Sequence, residues 1–376
     1  MINVLVVFGT RPEAIKLAPV IMELKKRPKV FRLSVCVTGQ HRQMLDQVLD
    51  FFDLQSDYDL NLMRDNQALS ALTGLILTGL DSVLDKTNPD LIIVQGDTTT
   101  TMATSMAGFY RRIKVAHVEA GLRTNDRYAP FPEEINRRIT SVIADIHFAP
   151  TEINRQNLLD NGVAPDTIHV AGNTVIDALL WASQILEVEP DLVPEEIRVF
   201  AGEKRIILVT GHRRESFGPG FERICCALHE IVRKNTDVMI VYPVHLNPHV
   251  REPVMRILSG EPRICLIEPV AYPSFVWLMN HAYLVLTDSG GVQEEAPSLG
   301  KPVLVMRDTT ERKEGVEAGN AYLVGTSEDA IINHVNDLLR NVERYRRMSH
   351  AGNPYGDGQA ACRIADVLEN ILSGVE

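Results

Sequence analysis

Apolar runs recur along the chain, and each gives way to a polar or glycine-containing turn and then to a segment of helical periodicity. The first series is NVLVVF (3–8), RLSVCVT (32–38), LIIVQG (91–96), KVAHVE (114–119) and DIHFAP (145–150). The second is TIHVAG (167–172), RIILVTG (205–211), VMIVYPV (238–244), ICLIE (264–268), AYLVLT (282–287) and PVLVM (302–306). The runs are short, β-branched and almost continuously apolar, as strands covered on both faces must be. Their alternation with helical patterns predicts parallel sheets with crossover helices. We therefore expect an α/β chain of two doubly wound domains, divided near Gly172. A helix at 174–187 and the acidic, proline-containing stretch EVEPDLVPEE (187–196) follow that division. Two such domains would set a ligand cleft between the carboxyl ends of their strands.

Composition narrows the partners. A chain of 376 residues, 45% of them hydrophobic, is long enough for two cores. The formal charge of -11 argues against nucleic-acid binding, which needs a surplus of Lys and Arg. It leaves room for one small anionic ligand held by local cations. The five cysteines are odd in number, scattered and without a CxxC pair. Neither a disulfide framework nor a structural zinc site is expected, and a reducing compartment fits better. His245 and His249 have helical spacing, but Pro248 between them argues against a two-histidine metal face. The opening MINVLVVFGTRPEA reads as a first strand rather than a signal peptide, and no apolar segment approaches membrane-spanning length. The expected location is the cytoplasm, with no metal and no membrane partner.

Nearly every unusual polar cluster follows an expected strand, where open α/β sheets place their ligands. In FGTRPEAIK, Thr10 and Glu13 have capping-box spacing, which leaves Arg11 and Lys16 unexplained. A cation at a helix N-terminus opposes the helix dipole, so Arg11 points to an anionic ligand. No GxGxxG fingerprint occurs, so a nicotinamide cofactor is not indicated. Asp97 in VQGDTTTT is either a helix cap or a functional acid. Glu119 in AHVEAGLRT ends a buried strand and needs a partner or a function, with Arg123 a candidate partner. Glu133 and Glu134 fall in a first helical turn, where acids are at home. His212, Arg213 and Arg214 stand on a strand-to-helix turn, and His245 follows the next strand. Arg312 and Lys313 follow the last run, where solvated charge is the plain reading. In TDSGGVQEE, the amides of Ser289, Gly290 and Gly291 could hold phosphate oxygens. Glu294 or Glu295, one turn deeper, could accept hydrogen bonds from ribose hydroxyls or simply complement the helix dipole.

Taken in order, VFGTRPEAIK, TGQHRQMLDQVL, GDTTTT, HVEAGLRT, PEEINRR, GNTVIDAL, TGHRRESFG, TDSGGVQEEAPSLGKPVLVMRDTTER and NPYGDG resemble the non-hydrolysing UDP-N-acetylglucosamine 2-epimerases. The resemblance runs from residue 4 to about residue 363. It implies a GT-B-like architecture: an N-terminal Rossmann-like domain (1–172) with acid/base carboxylates, a UDP-binding Rossmann-like domain (173–355), and a C-terminal helix (356–376) that crosses back to the first domain. It implies catalytic roles for Asp97, Glu119, Glu133 and His212. It also implies uridine and diphosphate contacts at Arg11, Lys16, His212, Phe275, Ser289, Gly290, Gly291, Glu295 and Arg312. Some family members bind a second UDP-GlcNAc as activator, and Gln40, Gln43 and His245 match positions associated with that site. Activator-dependent members are expected to carry an arginine around 64–67. The stretch MRDNQ offers Arg64 and Asn66 and leaves activator dependence open. A homodimer is also implied.

The reaction that the resemblance implies interconverts UDP-GlcNAc and UDP-ManNAc without a cofactor. The C2 hydrogen is not next to a carbonyl, so the family's route is elimination of UDP to 2-acetamidoglucal followed by re-addition. That route asks for a base and an acid on opposite ring faces and for positive charge at the departing diphosphate. Other readings stay open on sequence alone: a hydrolysing 2-epimerase, a GT-B glycosyltransferase, or a nucleotide-sugar sensor.

Overall fold

A computed structural model describes residues 1–39, 42–62, 64, 67–202 and 204–373, with backbone alone at 42–44 and 373. The strands are β1 (Ile2–Phe8), β2 (Phe31–Val37), β3 (Tyr58–Asp59), β4 (Leu91–Gln95), β5 (Lys114–Val118), β6 (Ile146–Ala149), β7 (Ile168–Val170), β8 (Arg205–Thr210), β9 (Val238–Pro243), β10 (Ile264–Ile267), β11 (Ala282–Thr287), β12 (Val303–Val305) and β13 (Ala321–Leu323). They form two sheets, ordered β3-β2-β1-β4-β5-β6-β7 and β10-β9-β8-β11-β12-β13. Every strand pairing among the described residues is parallel. The eleven apolar runs all carry strands. The sequence pattern did not announce β3 and β13. They are two and three residues long, stand at sheet edges, and lack the continuous burial that makes an apolar run.

The chain divides into two compact units. The first comprises Met1–Ala178 together with the chain from Gly356 onward, and the second comprises Leu179–Tyr355. The division falls inside the helix Thr174–Val188. In the first unit, Leu5, Val7, Ile92, Val94 and Val115 pack against Ile76, Leu80 and Val83 of the helix Leu69–Thr87. The helix Arg11–Lys25 buries Leu17, Ile21 and Leu24 completely. Against it lies the C-terminal helix Ala360–Ser373. Arg27 fixes this contact with ion pairs to Asp366 (2.6 Å) and Glu369 (2.9 Å), and Asp177 Oδ1 accepts the Ala361 amide at 2.9 Å. The second unit has its own core, in which Ile207, Val209, Ile240 and Leu286 meet Phe221, Leu228 and Ile231 of the helix Pro219–Lys234. Among the described residues no helix is long and apolar enough to cross a membrane.

The turn after β5 depends on a glycine. Gly121 has φ +93°, and a Cβ there would sit 2.2 Å from the Asn154 carbonyl oxygen. Gly121→Ala is expected to destabilise the protein by about 1–3 kcal/mol through left-handed strain and that overlap, measured as a lowered urea midpoint at unchanged m-value.

Candidate active site

In each sheet the strand order reverses once, between β1 and β4 and between β8 and β11. The turns that leave these four strands carry most of the polar residues singled out above. In the first unit a buried carboxylate joins two of them. Glu13 Oε2 accepts the amides of Gly9 (3.1 Å) and Thr10 (2.8 Å) and the Thr10 hydroxyl (2.7 Å). Its Oε1 accepts the hydroxyls of Thr98 (2.7 Å) and Thr101 (3.2 Å) from the turn after β4. Burial pushes the Glu13 carboxyl up, against the pull of these hydrogen bonds. Glu13 is therefore the expected cap and also the tie between the Arg11 turn and the Asp97 turn. Among the described residues, no carboxylate forms an ion pair with Arg11.

Asp97 and Glu119 follow the adjacent strands β4 and β5. Glu119 has φ 61°, a left-handed conformation that a non-glycine residue adopts at a cost. Its Oε1 pairs with Lys16 Nζ at 2.5 Å and accepts Asn173 Nδ2 at 3.3 Å. Its Oε2 accepts the Gln95 side-chain amide. Asp97 Oδ2 accepts Arg137 at 2.5 Å, and Asn136 Nδ2 donates to the Asp97 carbonyl at 3.0 Å. Burial pushes the Asp97 carboxyl above the usual range; Arg137 pulls it down and the charge of Glu119 pushes it further up. Glu133 opens the helix Glu133–Ile143, one turn before Asn136 and Arg137, so the three share a helix face. Its Oε2 is buried and has no hydrogen-bond partner. His117 supports the floor. It is fully buried, burial lowers its pKa to about 3, and its neutral ring donates from Nε2 to the Gly96 carbonyl at 2.7 Å.

The suggested pairing of Glu119 with Arg123 does not form. Arg123 donates instead to Asn161 Oδ1, Ser141 Oγ and the Leu122 carbonyl. Lys16 takes its place beside Glu119. Of the two adjacent acids, Glu134 is the structural one. It is buried between Arg137 (3.2 Å) and Arg138 (2.8 Å), and its carboxyl is held low: burial raises it, but the Thr124 amide and the arginines win.

In the second unit, Asp288 spans the reversal between β8 and β11. Only 1% exposed, it accepts the amides of His212 (2.7 Å) and Arg213 (2.8 Å) on Oδ2. Burial pushes its carboxyl up, yet His212 and these amides hold it below the usual range. The His212 ring stacks on His245, with centroids 5.5 Å apart and planes 20° apart. Gly290 and Gly291 open the helix Gly290–Glu295, where N–H groups lack a carbonyl one turn earlier. The Ser289 amide is already engaged, donating to Thr287 Oγ1 at 2.9 Å. The two acids of this helix separate in role. Glu294 is buried and pairs with Arg312 Nε at 2.7 Å, while Glu295 is half-buried, with Oε1 folded back toward Gly291. Arg312 lies so close over Gly290 that a Cβ there would meet its guanidinium carbon at 3.2 Å. Phe275 is half-buried in the first turn of the helix Tyr272–His281. Gln40, Asn66 and the side chain of Gln43 lie outside the described residues, and Arg64 is exposed.

Two parallel, doubly wound sheets with polar turns gathered at their order reversals define a GT-B-like pair of Rossmann-like domains. The family model for UDP-N-acetylglucosamine 2-epimerase matches residues 22–369. The chain belongs to that family, and epimerisation of UDP-N-acetylglucosamine is the activity this membership supports. It is 58% identical over 371 residues to the UDP-N-acetylglucosamine 2-epimerase of Yersinia pestis, covering 98% of each chain. It is 57% identical over 373 residues to that of Escherichia coli (strain K12), again covering 98% of each. Among solved structures, the UDP-GlcNAc 2-epimerase from Neisseria meningitidis bound to UDP-GlcNAc superposes with a TM-score of 0.87 at 48% identity, covering 97% of this chain and 99% of that one.

Sequence reasoning gave no role to Gln95, His117, Arg137, Asn173 or Asp288. Gln95 and His117 left a signal, as polar residues inside otherwise apolar strands. Arg137 lay in a motif whose acids drew the attention, Asn173 in GNTVIDAL, where no residue was singled out, and Asp288 was overshadowed by its glycines.

A clamp steadies the turns of the second unit. Arg307, 5% exposed, pairs with Glu215 (2.5 Å) on the turn after β8 and with Glu311 (2.7 Å) beside Arg312. Burial raises the Glu311 carboxyl, but hydrogen bonding to Arg307 outweighs it and lowers the pKa to about 2. A depressed carboxylate contributes stability that is present above its unfolded pKa and lost as pH falls through the folded one. The stability difference between the wild type and Arg307→Met is therefore expected to be largest above about pH 4.5 and to shrink toward pH 2, as read by urea unfolding across that range.

Proposed function

We propose that this chain is a non-hydrolysing epimerase that converts UDP-GlcNAc to UDP-ManNAc reversibly by eliminating UDP and adding it back. The observation that carries the reading is the carboxylate group of the first unit. Asp97 and Glu119 stand at adjacent strand ends, Glu119 strained and held on both oxygens, and Glu133 offers a buried oxygen that no protein donor satisfies. Removal of the C2 proton on one ring face and its return on the other needs two such groups in different protonation states. Neighbouring acids separate in pKa through burial and mutual repulsion, and both raise the Asp97 carboxyl.

The second unit then carries the nucleotide. Phe275 meets the uracil, the Gly290 and Gly291 amides meet phosphate oxygens, Glu295 takes the ribose, and His212 and Arg312 meet the charge that grows on the departing diphosphate. Arg11 and Lys16 add positive charge from the first unit. No redox step occurs, so no cofactor is required. The reading further has the enzyme act as a homodimer in the cytoplasm and supply ManNAc units for surface polysaccharide. Gln40, Gln43 and His245 are proposed activator contacts.

Proton NMR of UDP-GlcNAc with enzyme in D2O tests the reaction. UDP-ManNAc deuterated at C2 is the expected product, whereas accumulation of free ManNAc and UDP assigns the hydrolysing reaction instead. Asp97→Asn is expected to lower turnover by about 100-fold or more, the scale of a lost acid–base group, while UDP affinity stays within about 3-fold. Near-normal turnover would remove Asp97 from the catalytic set.

A further inference from the structure

Within the reaction proposed above, one buried group of the second unit has no assigned part. Asp288 Oδ2 is fully used, accepting the amides of His212 and Arg213. Its other oxygen, Oδ1, is buried and has no well-aligned hydrogen-bond donor. The group aimed at it is His212 Nδ1, 3.2 Å away. An ionised carboxylate oxygen can only accept, so the nitrogen facing it is the one that bears the proton. The backbone amides fix the carboxylate, and the carboxylate fixes the ring. His245, stacked on the far side of the ring, closes a second direction of rotation. The other titratable group facing Asp288 is Tyr242, whose hydroxyl donates to the Gly211 carbonyl at 3.1 Å, at the base of the same turn.

We propose that Asp288 is the positioning residue for His212: its carboxylate accepts from Nδ1–H and favours the imidazolium that forms with bound diphosphate, whose second N–H, on Nε2, donates to the departing group. His212 is 40% exposed along its side chain, so Nε2 has an open side on which to meet a ligand. The inference rests on the epimerase reading for the identity of that ligand. It does not rest on it for the contact itself. A carboxylate that sets a histidine's tautomer and orientation without exchanging protons with substrate is a recurring arrangement in acyl-transfer sites.

Asp288→Asn separates this role from scaffolding. The amide oxygen can still accept both backbone N–H groups, so the turn keeps its anchor, but the amide NH2 now faces His212 Nδ1, and the ring, left with one proton on Nε2, loses the carboxylate that supports its positive charge. The expected result is a kcat for C2 epimerisation lower by about 10-fold or more, with KM for UDP-GlcNAc within about 3-fold. In a His212→Asn background the same change is expected to add less than about 2-fold, since Asp288 then has no ring to hold. Equal losses in both backgrounds would mean that Asp288 only supports the turn, and would overturn the proposal. A second measurement needs no variant. In 1H–15N spectra of the histidine-labelled wild type, His212 is expected to carry its proton on Nδ1; a neutral His212 protonated on Nε2 alone would overturn the proposal even if Asp288→Asn failed to fold. If the wild type showed no C2 exchange, the functional reading would fail, and the tautomer would still decide the Asp288 contact.

Discussion

The site depends on one topological constraint. Where a parallel sheet reverses its strand order, the two central strands send their connections to opposite faces, and the turns at their carboxyl ends part from one another. The gap between them exposes backbone N–H groups that nothing in the sheet can satisfy. In this chain a buried carboxylate fills each gap. Glu13 ties the turn after β1 to the turn after β4, and Asp288 ties the turn after β8 to the turn after β11. Both accept two backbone amides, and both bring a candidate ligand contact, Arg11 or His212, to a fixed place. The answer to a folding requirement thereby sets the geometry of the chemistry.

The two units use charge differently. In the first, the acids outnumber the cations that hold them, and each cation or amide is directed at a particular oxygen: Lys16 and Gln95 at the two oxygens of Glu119, Arg137 at Asp97. Burial and the charge of Glu119 raise the Asp97 carboxyl, and one buried oxygen of Glu133 has no hydrogen-bond partner. In the second, two basic side chains near the glycine turn are themselves paired with acids, Arg312 with Glu294 and His212 with Asp288. Acids beside the proposed phosphate-binding turn look contradictory only if they are taken to face the phosphate. Glu294 faces an arginine instead, and Glu295 turns back toward the backbone of Gly291.

Much of this was legible in the sequence. The alternation of apolar runs and helical patterns gave the fold class, because buried parallel strands cannot hide their composition. The edge strand β3 was not legible, since two residues leave no periodicity, and β13, whose central Tyr322 is exposed, was not singled out. Of the candidate site, the acids and the glycine turn stood out because their residue types are costly where the pattern placed them. Their partners did not. That Glu119 would choose Lys16, 103 residues away in sequence, over Arg123 four residues away is a matter of tertiary packing. Asp288 was hidden for a different reason: its contacts are with the amide and ring of His212, 76 residues earlier.

The central claim is that the bond between the sugar's anomeric carbon and the diphosphate breaks and re-forms on every turnover. UDP-GlcNAc labelled with 18O in the bridge between C1 and the β-phosphorus tests it directly. While UDP is detached its terminal phosphate rotates freely, so the label is predicted to scramble into non-bridging positions as UDP-ManNAc accumulates. Epimerised product that kept all of its label in the bridge would contradict the account.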